Sequence, residues 1–240
     1  MNAPVWPYLA IAGLAAGLAA RVAVWYLAVA DDPPRRVCPA CDLPPSRPLV
    51  PVRPFTGRCL ICGRAVAPVA MVPEALGAAG FALAGYVGGG WLRVAAVCWL
   101  LAFALPAVLV DAQVQFLPEV LTWPCLAGVV VLSLSQSAVS GSAGSAVRLV
   151  VVAVAVWGVF RVLQEVGFGP GDTVLVVSLA VVLADFSTTA VIAGIVGGVA
   201  IAGLLTLVKM AVGRRGPKDE VALGPALLSG MILALWLTAR

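Results

Sequence analysis

The sequence contains no histidine. That absence removes Ser-His-Asp triads, HExxH zinc sites and imidazole general bases together. Charge is scarce as well: Asp, Glu, Lys and Arg supply 11% of the 240 residues, where a soluble domain carries about 25%. Six cysteines in this length are too sparse for a small disulfide scaffold. Neither a coiled-coil heptad nor a periodic repeat is present. What is abundant is apolar, with 62% hydrophobic residues and a mean hydropathy of +1.08, against about 45–50% apolar in soluble domains. Such a chain cannot cover its own surface with polar groups, so its solvent is largely lipid. Disorder and collagen are excluded on the same composition. The expected fold class is an all-α polytopic membrane protein.

A helix needs about 20 apolar residues to cross a hydrocarbon core about 30 Å thick. On that scale apolar segments fall at about 4–30, 72–89, 94–110, 120–134, 146–162, 173–184, 189–208 and 221–237. Two are short, 120–134 and 173–184, which leaves six or seven spans open. Eight transmembrane helices alternate most cleanly with the charges. Arg35, Arg36, Arg47, Arg53, Arg58 and Arg64 then share one side with Arg161, Lys209, Arg214, Arg215 and Lys218, while the other side holds Arg93, Arg148 and Arg240. By the positive-inside rule the first set is cytoplasmic. Residues 31–71 and 209–220 are thus expected inside, and the N-terminus, the Gly88–Gly90 turn and a Ser/Gly loop from Ser133 to Ser145 outside. Residues 1–30 are read as a first span rather than a cleaved signal peptide, because no basic n-region precedes a long apolar stretch that Arg21 interrupts. Gly194, Gly197, Gly198 and Gly203 would permit close helix contact in the seventh span.

The division expected is therefore a first helix (1–30), a hydrophilic loop domain (31–71) and a membrane core (72–240). The loop, rich in Pro and Arg, carries Cys38-Pro39-Ala40-Cys41 and Cys59-Leu60-Ile61-Cys62, seventeen residues apart. That spacing suits a tetrahedral four-thiolate zinc site, and Gly63 permits the tight turn after the second pair. A segment with so few apolar residues has little core, so the metal would supply much of its folding free energy. Four thiolates leave no open position for water, which makes this a zinc-ribbon-like structural site rather than a hydrolytic one. Cys98 and Cys125 lie inside spans, as packing residues.

Eleven carboxylates remain to be sorted. Asp31, Asp32, Asp42, Asp219 and Glu220 fall in aqueous loops, and Glu165 in a cytoplasmic one. Glu74 enters the membrane just after Pro73, and Asp185 reads as a solvated charge at the outer end of span six. Asp111, closing span three, and Asp172, opening span six in Gly169-Pro170-Gly171-Asp172, both fall at the cytoplasmic membrane edge. Carboxylates there are expensive enough to imply function. Two of them brought close share one proton: the ionised group takes a proton from attacking water, and the protonated one donates to a peptide carbonyl. Gly169 and Gly171 would let a substrate strand approach the Asp172 backbone. A bland alternative is that both Asp only cap helix ends.

In chain order these features resemble the type IV prepilin peptidases, bacterial members of the GxGD membrane aspartyl proteases. The residues that carry the resemblance are the paired CxxC loop, the Glu74 entry into span two, Val110-Asp111 through Pro118-Glu119 to Pro124, Gly169 to Asp172, and Gly224-Pro225. They cover most of the chain. Departures are Val174, where the family usually has Lys, Glu119 for its usual Asp, Leu223 for Phe, and a somewhat short interval between the Cys pairs. The resemblance implies removal of the leader from type IV prepilins or type II secretion pseudopilins, at the cytoplasmic face of the bacterial inner membrane. Asp111 and Asp172 would be the catalytic pair, with Gly169, Gly171 and Glu119 in the active-site loops. Cys38, Cys41, Cys59 and Cys62 would hold Zn2+. Members with the Cys loop also N-methylate the new N-terminus with S-adenosylmethionine, although no Rossmann-type glycine fingerprint follows a strand here. The partners expected are a prepilin or pseudopilin and the lipid bilayer, with no nucleic acid. Two other classes fit parts of the sequence: a small transporter or channel using intramembrane Asp, and a zinc-ribbon membrane assembly factor.

Overall fold

A computed structural model describes residues 5–29, 34–45, 51–212 and 222–238. Among them are eight α-helices: α1 (Trp6–Leu27), α2 (Val72–Val87), α3 (Trp91–Val114), α4 (Glu119–Val139), α5 (Ala143–Leu163), α6 (Pro170–Ala184), α7 (Thr188–Ala211) and α8 (Gly224–Thr238). A 3-10 turn, Gln164–Val166, precedes α6. The ends of the helices have local causes. Gly88, Gly89 and Gly90 take φ of 66, 96 and 103°, a backbone that reverses the chain between α2 and α3. Ser142 and Ser187 cap α5 and α7 by accepting from Ser145 N–H and Ala190 N–H. Pro118 and Pro170 set the starts of α4 and α6.

Short connections force neighbouring helices antiparallel. The cysteine loop joins the end of α1 to the start of α2, so α3 ends, α4 starts, α5 ends and α6 starts at that same end of the bundle. α8 begins there too, because Gly224 N–H bonds Asp111 Oδ2. All these termini lie at what is called here the loop end. The Gly88–Gly90 turn, the Ser140–Ser142 turn and Asp185 lie at the far end.

Five helices are long and apolar enough to cross a membrane: α1, α3, α4, α5 and most of α7. The chain thus has the make-up of a multi-pass membrane protein, but fewer helices meet the span length than the eight expected. α2, α6 and α8 have 16, 15 and 15 residues, about 22–24 Å at 1.5 Å per residue, against a core of about 30 Å. For α6 the shortness has a packing reason. Every residue from Thr173 to Ala184 is buried, and α6 packs against α3, α4, α5, α7 and α8. Its wall is protein, so its ends need not reach the headgroups. α5 and α7 instead expose Val147, Val154, Val162, Ile192, Leu204 and Leu207 outward, as lipid-facing helices do.

Two helix pairs meet backbone to backbone. A β-carbon on Gly13 or Gly77 would come within 2.2 Å of the other's carbonyl oxygen, which fuses α1 to α2. Gly194 and Gly198 give α8 the same closeness at Gly230, as expected of them, whereas Gly203 faces open space.

The expected Ser133–Ser145 loop is a correction. α4 continues to Val139, burying Ser133 and Ser137, and only a short turn remains before α5. Inside the helix the Ser135 and Ser137 hydroxyls are satisfied by donating to the carbonyls of Val131 and Ser133 one turn back. The cytoplasmic loop expected around Arg214, Arg215, Lys218, Asp219 and Glu220 lies outside the described residues, as do Asp31, Asp32, Arg47 and Arg240.

Candidate functional site

Asp111 lies near the end of α3, and Asp172 is the third residue of α6. Antiparallel order brings both to the loop end, and their carboxyls lie within electrostatic reach of each other. Backbone amides seat both of them. Gly169 N–H donates to Asp172 Oδ2 at 3.1 Å, so the carboxylate turns back over the first turn of its own helix. Gln164 Nε2 donates to Thr173 Oγ1 at 2.7 Å and ties the preceding 3-10 turn to α6. On the other side, Gly224 N–H, the first of α8, donates to Asp111 Oδ2 at 2.9 Å. Each carboxylate therefore sits at the start of a helix, where the dipole favours negative charge.

Burial separates the two groups. Asp111 is 4% exposed, whereas Asp172 is half-buried and reachable. Gly171 determines how closely α6 approaches the α3–α4 connection. A β-carbon there would stand 2.7 Å from Leu117 Cβ and 2.8 Å from the Leu117 carbonyl oxygen. The expectation that these glycines make room for a substrate strand is corrected in part: at Gly171 the space is taken by Leu117 of this chain. Gly224 is equally constrained, since a β-carbon would lie 2.9 Å from Asp111 Oδ2. Glu119 opens α4 at the same end but is exposed. It suits a helix start without joining the acid pair. Val174 is buried.

The second feature of the loop end is sulfur. Sγ atoms of Cys38, Cys41, Cys59 and Cys62 all lie within 4.8 Å of one another, and a tetrahedral Zn–S distance of about 2.3 Å puts sulfurs about 3.8 Å apart. The two CxxC turns are built alike. Ala40 N–H points at Cys38 Sγ at 3.5 Å, and Ile61 N–H at Cys59 Sγ at 3.4 Å. Gly63 and Asp42, each directly after a pair, both take positive φ, 70 and 55°. Asp tolerates that backbone better than most side chains. Short bridges between Val52 and Cys59 and between Arg58 and Ala65 brace the second turn. Burial opposes ionisation of Cys59, but the N–H groups of Cys62 and Ile61 and the Cys38 and Cys62 thiols draw its pKa down to about 7. Cys41, although helped by Leu43 N–H, is pushed up to about 12 by burial and by Cys38 and Cys62 beside it. Four sulfurs this close can all be anionic only around a cation.

A third element escaped the sequence reading, in which Arg21 was merely a charge interrupting a span. Arg21 is 1% exposed, and Glu74, opposite it on α2, is 2% exposed. Arg21 Nε and Nη2 grip the two Glu74 oxygens at 2.7 Å each. Nη1 donates to the Pro68 carbonyl at 2.6 Å, and Nη2 also to those of Phe55 and Val69 at 3.4 and 3.3 Å. One guanidinium thus ties the cysteine loop to α1 and α2. The only advance signal was the presence of one Arg and one Glu inside apolar runs. Asp185 is the other correction: it is 5% exposed, not solvated. Cys125 is buried, and Cys98 is half-buried, as packing residues should be.

Compared with protein-family models, curated proteins and solved structures, the chain has no match.

Proposed function

We propose that the protein is a membrane aspartyl endopeptidase that removes the leader of type IV prepilins or pseudopilins at the cytoplasmic face of the bacterial inner membrane. The observation that carries the reading is the convergence of Asp111 and Asp172 at one end of the bundle from positions 61 residues apart. Two neighbouring carboxyls can hold a single proton between them; one then polarises water while the other protonates the carbonyl oxygen. The half-exposed Asp172 admits water and peptide, and Asp111 is held in place by the Gly224 amide. In this reading all eight helices belong to the membrane domain, with the basic loop inside. Its zinc, bound by Cys38, Cys41, Cys59 and Cys62, stabilises the loop and takes no part in activating water, because four thiolates fill the tetrahedron. The resemblance extends to N-methylation with S-adenosylmethionine, but no group among the described residues points to a methyl-donor pocket, and the proposal is confined to cleavage.

The test is incubation of the purified protein with a prepilin, reading leader loss by mass. Asp111→Asn and Asp172→Asn are each expected to lower the rate by about 10²–10⁴-fold while the protein still accumulates in the membrane. Cys38→Ser is expected to lose zinc yet keep more activity than either Asn variant. Full processing by either Asn variant would refute the acid pair. Indifference to both Asn changes, together with loss of function on Cys38→Ser, would support a zinc-ribbon assembly factor instead.

A further inference from the structure

The far end of α6 holds the other buried carboxylate of this helix. Asp185, the residue that closes α6, lies thirteen positions beyond Asp172, about 20 Å along the axis. It is 5% exposed and lies within electrostatic range of Arg93 on α3 and Arg148 on α5, beside the Ser133 hydroxyl on α4. The Arg93 guanidinium also stands over the ring of Phe186, 4.9 Å from its centroid. Yet four buried atoms in this neighbourhood have no hydrogen-bond partner: Asp185 Oδ2, Ser133 Oγ, Arg93 Nε and Arg148 Nε. They comprise a carboxylate acceptor, two N–H donors and a hydroxyl able to do either. Gathered out of bulk solvent, such groups attract one another more strongly than they would in water.

Four helices meet at this cluster, at the end of α6 opposite the Gly171–Leu117 contact and the Gln164–Thr173 bond. Between its ends α6 presents mainly Val, Leu and Ala side chains, and the Ser178 hydroxyl turns back onto the Val174 carbonyl. The polar anchors of α6 thus lie at its two ends.

We propose that Asp185, Arg93 and Arg148 form an ionic clasp that fixes α6 at its far end, and that Asp185 is thereby a positioning residue for Asp172. The effect on cleavage rests on the aspartyl-peptidase reading; the clasp itself does not. A rigid α6, gripped at both ends, keeps the Asp172 carboxyl at the depth of Asp111. Release at the far end lets the helix shift, and a displacement of about 1 Å is enough to cost up to about 10²-fold in rate.

The experiment uses the full-length protein in lipid nanodiscs, with two readouts for each variant: amide hydrogen exchange across Gly169–Val174, and prepilin cleavage resolved into kcat and KM. Asp185→Ala is expected to speed exchange at Gly169–Val174 and lower kcat by about tenfold with KM little changed. Asp185→Asn, which keeps hydrogen bonding without charge, falls between it and the wild type. The swap Arg93→Asp with Asp185→Arg preserves the charges of the cluster and is expected to restore both readouts. Exchange that quickens only near residues 183–190, or a swap no better than Asp185→Ala, overturns the proposal. If the wild type cleaves no prepilin, the peptidase reading fails alone, and the exchange data still decide for or against the clasp.

Discussion

Gly171 has no room for a β-carbon, because the Leu117 backbone and side chain already fill the space. Gly171→Val is therefore expected to push the start of α6 away from the α3–α4 connection and to destabilise the protein by about 1–3 kcal/mol, the usual range for overpacking. Thermal unfolding in detergent checks it. Gly203→Ala, where nothing lies within 4 Å, serves as the control and should leave the melting temperature unchanged or slightly raised. A Gly171→Val variant that melts with the wild type would show that α6 and the Leu117 segment are not in contact. At this scale the sequence was partly legible. Asp111, Asp172 and the four cysteines declare themselves, since few side chains in so apolar a chain carry that chemistry. The constraint on Gly171 was hidden, because the group that imposes it lies 54 residues earlier in the chain. Asp185 was misread for a related reason: a carboxylate at a helix end is ordinarily solvated, and only the convergence of α3, α4 and α5 buries it.

Among the elements, α1, α2 and the cysteine loop act as one unit joined by Arg21. Removing the cation while leaving Glu74 buried is the costly change. Arg21→Leu is expected to destabilise by about 3–5 kcal/mol, as breaking one side of a buried ion pair does, and to loosen the loop at Pro68 and Val69. Arg21→Leu combined with Glu74→Leu should recover part of the melting temperature but not the docking, because the Pro68 and Phe55 carbonyls still lack their donor. Limited proteolysis of residues 51–71 reads the second effect. Equal protease resistance in all three proteins would contradict a docking role for Arg21. Helix boundaries were less legible than helix existence. Hydropathy located every helix, but it ended the fourth segment at the first serines, although α4 runs on to Val139 with the Ser135 and Ser137 hydroxyls satisfied inside it. It marked 173–184 as short, as α6 is, but gave no warning for α2 or α8, since length in lipid depends on which neighbours wall a helix off.

For the molecule as a whole, antiparallel packing decides what meets what. Odd helices end and even helices begin at the loop end, so two acids, a thiol cluster and the start of α8 gather on one face. The short α6, buried from Thr173 to Ala184, forms the axis, with Asp172 at one end and Asp185 at the other. Order along the chain made the common face of Asp111 and Asp172 legible before the structure, once the spans were counted. The contacts that seat them were not, since the Gly224 amide reaches Asp111 from 113 residues away. The most direct measurement is cross-linking of Asp111→Cys with Asp172→Cys in the full-length protein, with Cys98 and Cys125 replaced by alanine. A short bismaleimide reagent and peptide mapping identify the bridge. A covalent link between the peptides carrying positions 111 and 172 is predicted. Both thiols reacting singly without ever joining would mean that the acids do not share a site, and the peptidase reading would go with them.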